Sequence, residues 1–258
     1  MTPRREDIDL RRITASVVLA VAMAAAACGD GESSAAQGDD ITIFAASSLT
    51  DAFTQIGKGF ESNHDASVTF NFLASSDLAT QIQQGADADV FASADEPNME
   101  TVVKAGLVEG DPRVFVHNIL EIVVRAGNPA RIRGLQDLRN DDLVVSLCAE
   151  ECPAGRYALQ VFDNAGVQIE PDSLETEVKG VVARVASGEA DAGIVYATDI
   201  EAAAGIVEGV EIPEGVNVVA DYPIATLKGS PAAAAEFVDY VVSVEGRNVL
   251  RDHGFRIE

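Results

Sequence analysis

The chain has 258 residues, 47% of them hydrophobic, enough to bury a substantial core and too apolar for a disordered polymer. Its formal charge of −24 excludes two kinds of partner. Nucleic acid requires clustered Lys and Arg to neutralise phosphates, and anionic lipid attracts basic surfaces, not acidic ones.

Residues 1–28 read as an export signal. Arg4, Arg5, Arg11 and Arg12 form a positive start diluted by Glu6, Asp7 and Asp9, and the apolar run at 13–27 is short for a membrane span. The run ends in Ala25-Ala26-Ala27-Cys28, similar to the lipobox at which bacterial lipoproteins are lipidated and cleaved, with Ala25 where Leu is usual. The expectation is a lipid on Cys28, the alternative being ordinary cleavage that leaves Cys28 free. Residues 29–40 (GDGESSAAQGDD) have the composition of a linker. Of three cysteines, Cys148 and Cys152 then remain in an oxidising compartment, where export and proximity predict a disulfide.

From residue 41 strand-like and helix-like segments alternate, which predicts an α/β fold. A strand at 41–45 precedes Leu49, Phe53, Ile56 and Phe60 at helical spacing. A strand at 67–72, a helix at 76–84 stopped by Gly85, a strand at 89–93 and a helix from Pro97 follow. Residues 114–125 read as one long extended stretch, then a strand at 143–147. Pro153 opens a helix with Leu159 and Phe162 inward, ending near Gly166. Val178, Val181, Val182 and Val185 mark another helix, residues 192–196 a buried strand, and 216–227 a second long extended stretch. Ser230-Pro231 starts a helix reaching about Val244, and the last helix ends at Gly254. Two long extended stretches around a compact middle predict two lobes joined by two crossing strands, with a cleft between them. The boundaries are 41–118 with 220–258 for lobe 1, and 119–219 for lobe 2.

Four helix starts carry small or hydroxyl residues: Ser47-Ser48, Ser75-Ser76, Pro153-Ala154-Gly155, and the start at Val178. A helix N-terminus exposes unpaired N–H groups and the positive end of its dipole, so it attracts anions without a formal charge. Each Ser is equally well read as an ordinary cap. Tyr196 is read alone as core with its hydroxyl at the rim, and His64, His117 and His253 show no ligand spacing. No G-x-S-x-G word and no phosphate-binding P-loop occurs, so the expectation is a protein that is not an enzyme.

The segment FAASSLTDAF at 44–53 resembles the opening of ModA-type molybdate-binding proteins. FLASSDLATQI (72–82), GADADVFASAD (85–95), PAGRY (153–157) and GIVYATD (193–199) follow in that family's order, so the resemblance spans about 40–258. It implies an α/β, two-lobed type II periplasmic-binding-protein fold that holds a tetrahedral oxyanion in its inter-lobe cleft by neutral donors. Carried over, the hydroxyls are Ser48, Ser75 and Tyr196, and the main-chain donors are Ser48, Ser75, Ala154 and Val178. The loop 148–152 is not essential to the family pattern. The implied function is capture of molybdate or tungstate, with the molybdenum bound only as its oxyanion and no cofactor. The implied partners are the permease and ATPase subunits of an ABC importer, served by a monomer tethered by lipid to the outer face of the cytoplasmic membrane. The alternative is the same fold serving another tetrahedral oxyanion such as sulfate.

Overall fold

Strands with both faces apolar need a layer of helices on each side, and amphipathic helices supply it. A computed structural model describes residues 39–257; the signal expected at 1–28, with Cys28, and the expected linker up to residue 38 lie outside them. Strand β1 (Asp39–Ala46) buries Ile41, Ile43 and every residue from there to its end. Asp39 and Asp40, read above as linker, already pair with Ala66 and Ser67 in β1. Helix α1 (Thr50–Asn63) buries Phe53, Ile56 and Phe60, which recur about every turn. Phe53 meets Phe70 and Phe237 edge-to-face; burying each such ring contributes about 1.5–3 kcal/mol.

Strand β2 (Ala66–Leu73), helix α2 (Ser75–Gln83), strand β3 (Val90–Ala92) and helix α3 (Glu96–Lys104) follow. Both β2 and β3 run parallel to β1. The second half holds β5 (Val145–Cys148), α4 (Pro153–Ala165), β6 (Ser173–Glu175), α5 (Val178–Ser187) and β7 (Ala192–Tyr196). Here too the strands next to β5 are parallel to it. Helix α6 (Ala197–Ala202) and strand β8 (Val207–Glu211) complete this half, and α7 (Ala232–Val241) and α8 (Val244–Asp252) close the chain.

Two long strands connect the halves, β4 (Val108–Arg125) and β9 (Val219–Leu227). Residues 108–119 of β4 pair with β9, whereas 120–125 pair with β7 and β8. The strand order is β2-β1-β3-β9-β4-β7-β5-β6, with β8 also on β4. Among the described residues no helix is long and apolar enough to cross a membrane.

The structure also departs from the sequence reading inside several elements. Leu159 is 43% exposed, and α4 instead buries Ala154, Ala158, Val161 and Phe162, the i, i+4, i+7, i+8 stripe. Leu159 stands one residue, or 100°, off that stripe. Strand β4 begins at Val108 because a register shift between Glu109 and Arg113 absorbs the turn-like Gly110-Asp111-Pro112. The helix from residue 230 stops at Val241, and Ser243 caps a new one by accepting from the Gly246 N–H at 3.2 Å. The sequence reading lacks the short elements β6, α6 and β8; β8 is mostly exposed and β6 holds a single apolar residue, so both carry little apolar signal.

Candidate functional site

Each of the two groups of parallel strands delivers its helices at the carboxyl end, where crevices form in open α/β sheets. Ser48 follows β1 in a 3-10 turn, Ser47–Leu49, that runs into α1. Ser75 is the first residue of α2, Ala154 the second of α4 and Val178 the first of α5, while Tyr196 ends β7. All five line one small, tight cavity of about 10 Å³, together with Ala46, Ala74 and Cys152 among others. Ser75 heads α2 itself, one residue earlier than the sequence suggested.

None of these helix starts is capped by a side chain. The N-cap positions before the Ser47 turn and before α2 are Ala46 and Ala74, which offer no acceptor. Relative to Ser or Asp, such a residue costs about 0.5–2 kcal/mol of helix stability. Their first-turn N–H groups therefore lack a side-chain acceptor, and the cavity they line is where one is missing.

The hydroxyls point the same way. Ser75 is fully buried and its Oγ accepts from the Ala94 N–H at 2.9 Å, which leaves its proton to be donated elsewhere. Ser48 Oγ lies 3.1 Å from the Tyr222 hydroxyl. The Tyr196 hydroxyl is, among the described residues, the buried side-chain polar atom without a hydrogen-bond partner. Burial, and then the neighbouring Tyr222 phenol, raise the Tyr196 pKa well above its ordinary value, so it stays a donor. A buried hydroxyl left unpaired costs about 1–3 kcal/mol, which an acceptor in the cavity would relieve.

No lining residue is charged. Arg156 on α4 is engaged by the fully buried Asp95. Asp95 also caps α3 through the Asn98 N–H at 3.1 Å and accepts from Asn98 Nδ2 at 2.9 Å. Burial raises the Asp95 pKa, and the Arg156 charge opposes that rise. Asp199, also buried, accepts from the Tyr196 N–H at 3.2 Å; burial lifts its pKa to about 7 against the pull of that N–H and of Lys179. A larger groove beside α4 and residues 168–174 is lined by Asp141, Glu150, Asp163, Glu170 and Asp172 against a single Arg139, the wrong sign for an anion.

Cys148 and Cys152 are joined as a disulfide, with Cα atoms 6.0 Å apart. Cys152 is the N-cap residue of α4, and its N–H donates to the Ala149 carbonyl at 3.0 Å. The loop thus presses against the first turn of α4. A Cβ at Gly155 would collide with the Ala149 carbonyl, so only glycine fits there.

Sequence reasoning missed Tyr222, Asn118 and Thr198, which form a buried polar group behind Ser48. Tyr222 was visible only as a tyrosine within the extended stretch 216–227. Asp95 and Asp199 were read as members of motif blocks without a role.

Comparison with known proteins places these features in a lineage. A family profile described as bacterial extracellular solute-binding protein matches residues 41–256. The molybdate-binding protein ModA of Mycobacterium tuberculosis is 45% identical over 218 residues, covering 83% of this chain and 84% of that protein. ModA of Escherichia coli is 31% identical, over 84% of this chain and 89% of its own. Among solved structures, the periplasmic molybdate-binding protein of Azotobacter vinelandii superposes with a TM-score of 0.73 at 20% identity, over 84% of this chain and 99% of that one. The sulfate-binding protein SubI of M. tuberculosis reaches 0.74 at 22%, over 85% of this chain and 87% of its own. At these identities the two structures speak for the fold alone.

Proposed function

The chain belongs to the bacterial extracellular solute-binding proteins, among the ModA molybdate-binding proteins, and on that premise we propose that it captures molybdate or tungstate outside the cytoplasmic membrane for an ABC importer. The observation that carries this reading is a cavity whose polar lining consists of neutral donors: uncapped helix starts, the Ser48 and Ser75 hydroxyls, and the unpartnered Tyr196 hydroxyl. Hydrogen bonds to a charged acceptor contribute about 1.5–3 kcal/mol each, and helix ends roughly 0.3–1 kcal/mol more. Several together offset the desolvation of a dianion without Lys or Arg, even in a chain whose formal charge is −24.

In this reading residues 41–118 with 220–258 form one lobe and 119–219 the other. The change of partners along β4 near Asn118–Leu120 supports the division, and the Asp95–Arg156 ion pair then spans the cleft. Ser48, Ser75, Ala154, Val178 and Tyr196 are the ligand residues, and the loop closed by Cys148–Cys152 holds the start of α4 in place. Lipid on Cys28 tethers a monomeric body to the outer face of the membrane, within reach of the permease and its ATPase. The protein performs no chemistry on its cargo.

Molybdate, tungstate and sulfate are all tetrahedral dianions, so charge cannot separate them; size can. Donors anchored on helix starts cannot follow the smaller sulfate inward without distorting backbone. Each unmade bond then costs about 1–3 kcal/mol. Calorimetric titration of the soluble body with molybdate, tungstate, sulfate and phosphate tests this. The expected result is one site per chain for molybdate and tungstate, with sulfate at least about a hundredfold weaker. An absence of molybdate binding would refute the function, and sulfate within about tenfold of molybdate would refute the size argument.

A further inference from the structure

Ser48 and Ser75 differ in what holds their oxygens. At Ser75 the partner is a backbone N–H, which can only donate. At Ser48 the partner is the Tyr222 hydroxyl, which can donate or accept. What decides between the two lies one bond further back. Asn118, on β4, is 1% exposed, and its Oδ1 accepts from the Ile119 N–H at 3.0 Å. That fixes the orientation of the amide, so Nδ2 is the end facing Thr198 Oγ1 at 2.8 Å and Tyr222 Oη at 3.4 Å. An amide nitrogen carries two protons and accepts none, and two oxygens face it. Tyr222 Oη therefore accepts from Asn118. Tyr196 Oη has no hydrogen-bond partner, so among the described residues Ser48 Oγ is the acceptor within reach of the single Tyr222 proton, and the Ser48 proton is left for an acceptor in the cavity.

Resting on the oxyanion-binding reading above, we infer that Tyr222, held by Asn118, is a positioning residue that makes Ser48 a donor-only group toward the ligand. The chain of donors runs from Asn118 Nδ2 to Tyr222 Oη to Ser48 Oγ to the ligand oxygen. Burial raises the Tyr222 pKa, so the phenol keeps the proton that this relay needs. The relay has a consequence for specificity. A fully deprotonated oxyanion meets a donor at every hydroxyl, whereas hydrogen phosphate brings a proton that finds no acceptor at Ser48. A serine free to rotate would turn a lone pair to that proton; with one lone pair held by Tyr222, doing so costs Ser48 the bond that its own proton makes to the ligand.

The test uses the soluble body of the protein, Tyr222→Phe, Ser48→Ala and the double variant, titrated with molybdate and with inorganic phosphate as competitor in mildly alkaline buffer. Tyr222→Phe is expected to weaken molybdate by about tenfold and to narrow the molybdate-to-phosphate ratio by a similar factor. Because Tyr222 acts through Ser48, Tyr222→Phe should cause no further loss in the Ser48→Ala background. Wild-type affinity and ratio in Tyr222→Phe would overturn the inference, as would additive losses in the double variant, which would mark Tyr222 as packing. Should the Phe variant fail to fold, Asn118→Asp tests the same relay by offering Tyr222 an acceptor that draws its proton away from Ser48. Its charge repels both dianions alike, so the ratio is the readout: narrowing supports the relay and an unchanged ratio overturns it. Failure of the wild type to bind molybdate would instead sink the functional reading, before any variant is compared.

Discussion

The helices of this protein begin in two ways. At α3, Asp95 accepts from the Asn98 N–H, and at α8, Ser243 accepts from the Gly246 N–H. Those starts are complete in themselves, and their side chains serve stability. At the Ser47 turn, α2, α4 and α5, no side chain takes that part, and two of the N-cap residues are alanine. These four converge on one cavity. Helix α7 is also uncapped, but its first residue, Ala232, is exposed, so water can complete it. Helix stability is lower at the starts that line the cavity, where an anion would supply the missing acceptors.

Giving a cavity-facing start the cap it lacks is the strongest way to break that contrast. Ala74→Asp would place a carboxylate at the head of α2, competing for the same N–H groups and repelling a dianion. Molybdate affinity is expected to fall by about a thousandfold or more, roughly 4 kcal/mol, in a protein that still folds. Calorimetry and circular dichroism check it, and a loss under about tenfold would show that the uncapped start is incidental.

Removing a cap that is present should do the opposite. Asp95→Ala deletes the α3 cap and leaves the partly exposed Arg156 without its carboxylate. Urea unfolding should register a loss of about 2–4 kcal/mol. If the pair spans the cleft as proposed above, the same variant also releases ligand faster. A change under about 0.5 kcal/mol would mean that the buried carboxylate contributes nothing net.

Tyr196 lies between the two classes, because its N–H is satisfied by Asp199 while its hydroxyl is not. Asp199 has its pKa raised on folding from 3.8 to about 7. Between those values the folded state holds more protons than the unfolded one, so stability falls as pH rises through the window and the penalty is complete above it. Asp199→Asn keeps an acceptor for the Tyr196 N–H and removes the titration. It should be more stable than the wild type by about 1–3 kcal/mol near pH 8 and flatten the decline between about pH 4 and 7. Parallel unfolding curves for both proteins across that range would remove Asp199 from the account.

Much of the molecule was legible in its residues. The alternation of apolar runs marked most strands; Ser48, Ser75, Ala154 and Tyr196 stood in motif blocks and Val178 at a helix start, and the fold brings all five to one cavity. Leu159 misled because a single apolar residue beside a stripe is indistinguishable from a member of it until the neighbour is known. Strand β4 was cut short because Gly110-Asp111-Pro112 is turn chemistry, and only pairing with β9 turns it into a bulge. The Asp95–Arg156 pair was hidden because its partners stand 61 residues apart in two separately recognised blocks.

Local signals in the chain set the alternating α/β plan and the places where helices begin. These are local properties, written in periods of two and 3.6 residues and in the identity of the residue before each first turn. The tertiary structure alone decided which donors face one another and which way their protons run. Ser48 and Tyr222 are 174 positions apart, and a hydrogen bond acts only within about 3 Å. No periodicity along the chain encodes such a distance; the pairing of β4 with β9 and the packing of helices at the strand ends create it.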